Sequence, residues 1–103
     1  MTDVHLEFVD DLAELRRSID NLDAAMVHLL AERFRCTRAI GELKAKHRLV
    51  SRDPRREAVQ LKRLRTLASQ SGLDPDFIQK LHALIVREVV ANHEAVKFAS
   101  GAG

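Results

Sequence analysis

Leu12, Leu15, Ile19, Leu22, Met26 and Leu29, and then Cys36, Ile40 and Leu43, recur at alternating steps of three and four residues. That spacing marks one face of a helix packed along another helix. Continued from Leu29, the alternation reaches position 33, where the chain has Arg33 in place of an apolar residue. At about 100° per residue Arg33 projects from the middle of the stripe, and Lys44 lies within roughly 20° of the same direction. One helix face therefore carries two cations at or near its buried seam. A buried charge is expensive unless it is paired. Two readings follow: a register-setting ion pair with an acidic side chain of another helix, or a pocket that holds an anionic ligand.

The pattern predicts three helices and no strand. The first runs from about Asp10 or Asp11 to about His47, with no proline inside it and Gly41 as its only weak point. RLVSRDP, residues 48–54, breaks it. Asp53 followed by Pro54 then signals a helix start, with Asp as N-cap and Pro in the first turn. The second helix ends near Ser69, with Val59, Leu61, Leu64, Leu67 and Ala68 as its apolar surface. Gly72 can close it, and Asp74-Pro75 repeats the start signal. The third helix carries Ile78, Leu81, Ile85, Val89 and Val96 on one face, out to about Phe98. Residues 1–103 are expected to form a single domain with frayed ends at about 1–9 and 99–103.

Length makes the first helix a problem for one chain. Some 36 residues span roughly 54 Å, whereas a compact domain of this size has a diameter nearer 35 Å, about 2.7 times its radius of gyration. Two shorter helices cannot cover such a stripe. The expected remedy is a two-fold homodimer in which the long helices cross, with sites built from both chains.

Composition narrows the function. Hydrophobic residues make up 46% and charged residues 31% of the chain, which suits a folded soluble protein. The aromatics are four Phe with no Trp or Tyr, which argues against modules that stack nucleic-acid bases. A net charge of +2 with interleaved signs is no polybasic surface. The single Cys36 cannot form an internal disulfide, so a reducing, cytoplasmic setting and a packed thiol are expected. The acidic start MTDVHLEFVDDL has neither the basic end nor the apolar run of a signal peptide, and no span suits a membrane. Five His fall without ligand spacing, and no Gly-rich phosphate loop or nucleophile elbow occurs, so neither metal nor cofactor is expected.

Arg16, Arg33, Lys44 and Arg56 are the cations that matter. Arg16 lies about 100° around the helix from Arg33 and some 25 Å along it. One chain does not easily bring both to one ligand, but an antiparallel partner brings its own Arg16 to the other end. Arg56 and Glu57 fall in the first turn of the second helix. Such a set suits a small dianion, with arginine as a planar fork and lysine as a compact point charge. Each residue also has a plainer role: Arg16 as a solvated helix residue, Arg52, Arg55 and Arg56 as a surface cluster, Asp53 as a helix cap, and Glu57 as a partner of a nearby arginine.

The stretches LRRSIDNLDAAMVHLLAER (15–33), IGELKAK (40–46), RDPRREA (52–58) and GLDPDFIQKLHALIVREVV (72–90) resemble, in order, the small all-helical chorismate mutases. The resemblance runs from about Leu12 to His93. It implies an interlocked three-helix dimer with two active sites, each borrowing an arginine from the partner chain. By position, Arg16 would be the borrowed residue, and Arg33 and Arg56 would bind the substrate's carboxylates. Lys44 would reach the ether oxygen, and Asp53 and Glu57 would lie near the substrate hydroxyl. Under this resemblance the ligand reading of Arg33 overtakes the ion-pair reading. Two positions depart from the family pattern. Val89 occupies a slot that is often serine, and His93 one that is often glutamine or glutamate; histidine donates too, but its charge depends on pH. The implied reaction is the intramolecular rearrangement of chorismate to prephenate. A sister activity, isochorismate–pyruvate lyase or aminodeoxychorismate mutase, uses the same fold. A non-catalytic dimeric binding module is the alternative from another class, and the seam position of Arg33 speaks against it, because phosphate-binding arginines belong on exposed faces.

Overall fold

The computed structural model describes residues 4–50 and 53–102; the side chains of residue 93 and of residues 95–102 lie outside the description. Three helices follow in order: α1 (Val4–Lys46), α2 (Pro54–Ser71) and α3 (Pro75–Ala102). No strand occurs among the described residues. The helical count and the two breaks agree with the sequence pattern. The ends of α1 and α3 do not: α1 starts six residues ahead of Asp10, and α3 continues past Phe98 to Ala102. Nothing between Val4 and Asp10 opposes a helix, since the stretch has no Pro or Gly and the aligned turns of α1 propagate into it.

A side-chain cap and backbone turns close the two breaks. Asp53 caps α2 by accepting the Arg56 backbone N–H at 3.2 Å, with Pro54 behind it in the first turn. The C-terminus of α2 winds into a left-handed residue, Gly72, at φ 77°. Gly72 donates to the Ser69 carbonyl at 3.3 Å and Leu73 to the Ala68 carbonyl at 2.8 Å. The same pair of bonds ends α1, where Arg48 donates to Ala45 at 3.2 Å and Leu49 to Lys44 at 2.7 Å. There the left-handed position is held by Arg48 at φ 57°, not by a glycine.

The chain divides into two compact units, Met1–Arg35 and Cys36–Gly103. The first contains the larger part of α1. In the second, α2 and α3 pack together as a helical hairpin. Leu61, Leu64 and Ala68 of α2, and Ile78, Leu81, Ile85 and Val89 of α3, turn inward as their spacing predicts. Val59 and Leu67 stay exposed, and Val96 lies outside the described side chains. Two inward residues carry no apolar signal. His82 is buried on α3. Arg65, one turn after Leu61, donates through Nη1 to the Pro75 carbonyl (3.2 Å), Asp76 Oδ1 (3.1 Å) and Gln79 Oε1 (2.8 Å). This bracket ties the middle of α2 to the first turns of α3.

Along α1 the apolar stripe is turned to solvent. Leu22 and Leu29 are 68% and 70% exposed, and Leu15, Ile19, Met26, Ile40 and Leu43 are exposed as well. Cys36, expected as a packed thiol, is exposed with them. Leu30, Arg33, Phe34, Thr37, Gly41 and Lys44 are instead half-buried.

Candidate active site

Arg33 and Lys44 share a direction on α1 to within about 20°. The half-buried residues Leu30, Phe34, Thr37 and Gly41 lie to one side of that line, and the exposed Leu29, Ile40 and Leu43 lie to the other, with Met26 on the line itself. Arg33 in the first unit and Lys44 in the second are each half-buried beside exposed apolar residues of α1. Among the described residues neither forms an ion pair. The acid one position before Arg33 is otherwise engaged: Glu32 holds Arg35, whose Nε donates at 2.9 Å and whose Nη2 donates as well. The register-setting pair that the sequence left open has no described counterpart, and Arg33 is half-buried.

The other residues take these places. Arg16 is exposed on the part of α1 that forms the first unit. Lys44 sits in the last turn of α1, where its carbonyl anchors the Leu49 N–H and so fixes where the helix ends. Asp53, Arg56 and Glu57 come together in the first turn of α2. Asp53 does act as the cap, with Oδ1 occupied by the Arg56 N–H; its backbone carbonyl also accepts the Glu57 N–H at 3.0 Å. Arg56 is exposed, and Glu57 is half-buried. Val89 is half-buried on the inward side of α3. His93 lies on α3, one turn beyond Val89, and its side chain is outside the description. Among the described residues no three His, Cys, Asp or Glu side chains group to hold a metal ion, and no helix is long and apolar enough to cross a membrane. Sequence reasoning missed Arg65. Its spacing from Leu61, Leu64 and Ala68 placed it on the inward face, and that was the available signal.

The described chain thus has three helices, a long first one with half-buried cations beside exposed apolar residues, and a capped acidic–basic turn at the head of the second. Residues 15–94 match the family described as chorismate mutase type II, and the chain belongs to that family. It is 31% identical to the T-protein of Haemophilus influenzae over 93 residues, 90% of this chain and 25% of that protein. Against the bifunctional chorismate mutase/prephenate dehydratase of Escherichia coli K12 it is 35% identical over 85 residues, 82% of this chain and 22% of the relative. The chorismate mutase of Methanocaldococcus jannaschii, nearer in length, is 28% identical over 78 residues, 76% of this chain and 79% of that protein. The chain thus spans a quarter or less of the first two relatives.

Proposed function

We propose that the chain is a cytoplasmic isomerase that converts chorismate to prephenate as a single-domain homodimer with two shared sites. The observation that carries this reading is the pair of half-buried cations, Arg33 and Lys44, unpaired on the border of an apolar seam that one chain leaves open. Burying a large aliphatic side chain contributes about 1.5–3 kcal/mol. Seven seam residues, each roughly half to two thirds exposed, therefore supply on the order of 10 kcal/mol per chain. Two chains together exceed most estimates of the cost of association, about 4–15 kcal/mol.

In the reaction one carbon–oxygen bond breaks while a carbon–carbon bond forms within the same molecule. No proton changes owner. The protein has two tasks. Arg33 and Arg56 of one chain and Arg16 of the second clamp the two carboxylates, which holds the flexible dianion in its compact reactive form. Lys44 and His93 face the ether oxygen, where negative charge grows as the bond breaks. Asp53 and Glu57 orient the hydroxyl; Asp53 Oδ2 serves, because Oδ1 is held by the cap. Val89 adds an apolar wall beside a carboxylate.

The test is to incubate the purified protein separately with chorismate, isochorismate and aminodeoxychorismate and to identify the products. Prephenate from chorismate at a rate far above the uncatalysed one is expected. Pyruvate from isochorismate with no prephenate would reassign the chain to the lyase activity, and no turnover of any of the three would remove the enzymatic reading.

A further inference from the structure

The head of α1 lies ahead of residue 15, where the family match begins, and the proposed site uses none of it. Glu7, Asp10, Asp11 and Glu14 recur at i, i+3, i+4 and i+7, which puts four carboxylates on one stripe about 100° wide. Residues 4–15 contain no Lys or Arg. Like charges three and four residues apart on a helix repel one another. The helix dipole favours an acid in the first turn and fades beyond it, which accounts for Glu7 and not for Asp10, Asp11 and Glu14. Beside the acidic stripe, Val4, Phe8 and Leu12 lead into Leu15 and continue the apolar seam; Val4 is 76% and Phe8 61% exposed.

Residues 44–56 have the opposite character. They hold six Lys and Arg against the single acid Asp53, whose carboxylate caps α2. Lys46, Arg48 and Arg55 are exposed, and Leu49 and Val50 between them are 61% and 77% exposed. Both surfaces thus pair bare apolar residues with charge of one sign, and the signs are opposite.

We propose that the acidic head of α1, Val4–Glu14, docks in trans on the basic residues at 44–50 and 53–56 of a second copy of this chain. A two-fold axis makes the contact twice, each chain giving an arm and receiving one. Antiparallel long helices bring these ends together, so the inference rests on the dimer reading above. The arm also borders the substrate set, because Lys44 and Arg56 belong to the turn on which it docks.

Charge reversal in two separate chains tests it. One variant carries Glu7→Lys, Asp10→Lys and Asp11→Lys; the other carries Lys46→Glu, Arg48→Glu and Arg55→Glu. Either alone places like charges in both contacts, and its dimer is expected to dissociate about tenfold or more readily than the parent's. Mixed and co-refolded, the two variants restore attraction at both contacts, so heterodimers should form in preference to either homodimer. Parent dimerisation should weaken with added salt, whereas mixed-variant dimers keep that dependence. Sedimentation and native mass measurement read all of this, and circular dichroism checks that helicity is kept. A third variant that begins at Leu12 removes Val4–Asp11 of the arm and should weaken the parent dimer. If the parent is dimeric while both reversals and the deletion dimerise as it does, or if the mixture gives only the statistical 1:2:1 ratio, the docking proposal fails and the dimer reading stands. A monomeric parent would overturn both.

Discussion

Arg33→Leu separates a residue kept for the fold from one kept for a ligand. The substitution restores the apolar seam at its one interruption. Arg33 is half-buried and, among the described residues, has no ion-pair partner. Its replacement removes a partly desolvated charge and adds aliphatic surface. Replacing buried ionic groups with hydrophobic ones of similar size stabilises by about 1–4 kcal/mol. For a half-buried group, the lower end, roughly 1 kcal/mol per chain, is the expected gain. Activity should fall in the opposite sense: loss of a donor set aimed at the substrate costs about 2.7–4 kcal/mol, or 10²- to 10³-fold in rate. The assay is a urea or thermal unfolding curve beside chorismate turnover, at matched protein concentration because dimer stability depends on it. A substrate-like dianion should raise the midpoint of the parent and not of the variant; at a hundred times its dissociation constant the stabilisation is about 2.7 kcal/mol. A variant less stable by about 2 kcal/mol or more would mean that Arg33 belongs to a structural ion pair, and one that keeps full activity would mean that it does not touch the substrate.

Three further outcomes are expected. Arg16→Ala and Arg33→Ala chains should each be nearly inactive alone, yet co-refolded heterodimers should regain activity through one intact site; no recovery in heterodimers of verified composition would place both arginines in one chain's site. If His93 donates to the ether oxygen, its protonated form stabilises growing negative charge best, and an ordinary imidazole titrates near pH 6.5. Turnover should therefore rise as pH falls from about 7 to about 5, and His93→Gln should keep substantial activity on a flattened profile; superimposable profiles would exclude His93 as the titrating group. Arg48→Gly relieves a left-handed conformation that costs a non-glycine residue about 1–2 kcal/mol, against about 0.5–1 kcal/mol of extra chain entropy. A net gain of about 0.5 kcal/mol in unfolding free energy is expected, and a loss would show that the Arg48 side chain makes compensating contacts, within its own chain or in the trans contact proposed above.

Much of this fold is written in local chemistry. Asp53-Pro54 and Gly72 announce the ends of α2 because a cap, a fixed φ and a left-handed turn each demand particular residue types. The end of α1 is closed by the same turn, but Arg48 stands where glycine would have advertised it. The start at Val4 was hidden for a related reason: acids at Asp10 and Asp11 look like a cap, yet they lie inside a helix that nothing upstream stops. His82 and Arg65 are polar side chains on an inward face, and hydrophobic periodicity does not register them. Among the site residues, Arg33 declared itself by interrupting a stripe. Arg16 and Arg56 are exposed arginines on helices, and only the order of motifs along the chain set them apart. The seam's period is legible from one sequence; what covers it is not, because a repeat of three and four specifies a neighbouring helix without saying whose.

The Arg65 bracket and the short link at Gly72 also bear on how the molecule is assembled in time. A hairpin of two helices joined by three residues, and clamped close to that link, depends on contacts close together in sequence. Such contacts close on the scale of microseconds to milliseconds, and at a rate independent of how many other chains are present. The proposed covering of the apolar seam by a second chain obeys a different law, since its rate scales with concentration. Refolding should accordingly split into a fast first-order gain of helix from α2 and α3 and a slower second-order phase in which activity appears. Diluting the sample should delay the second phase and leave the first untouched.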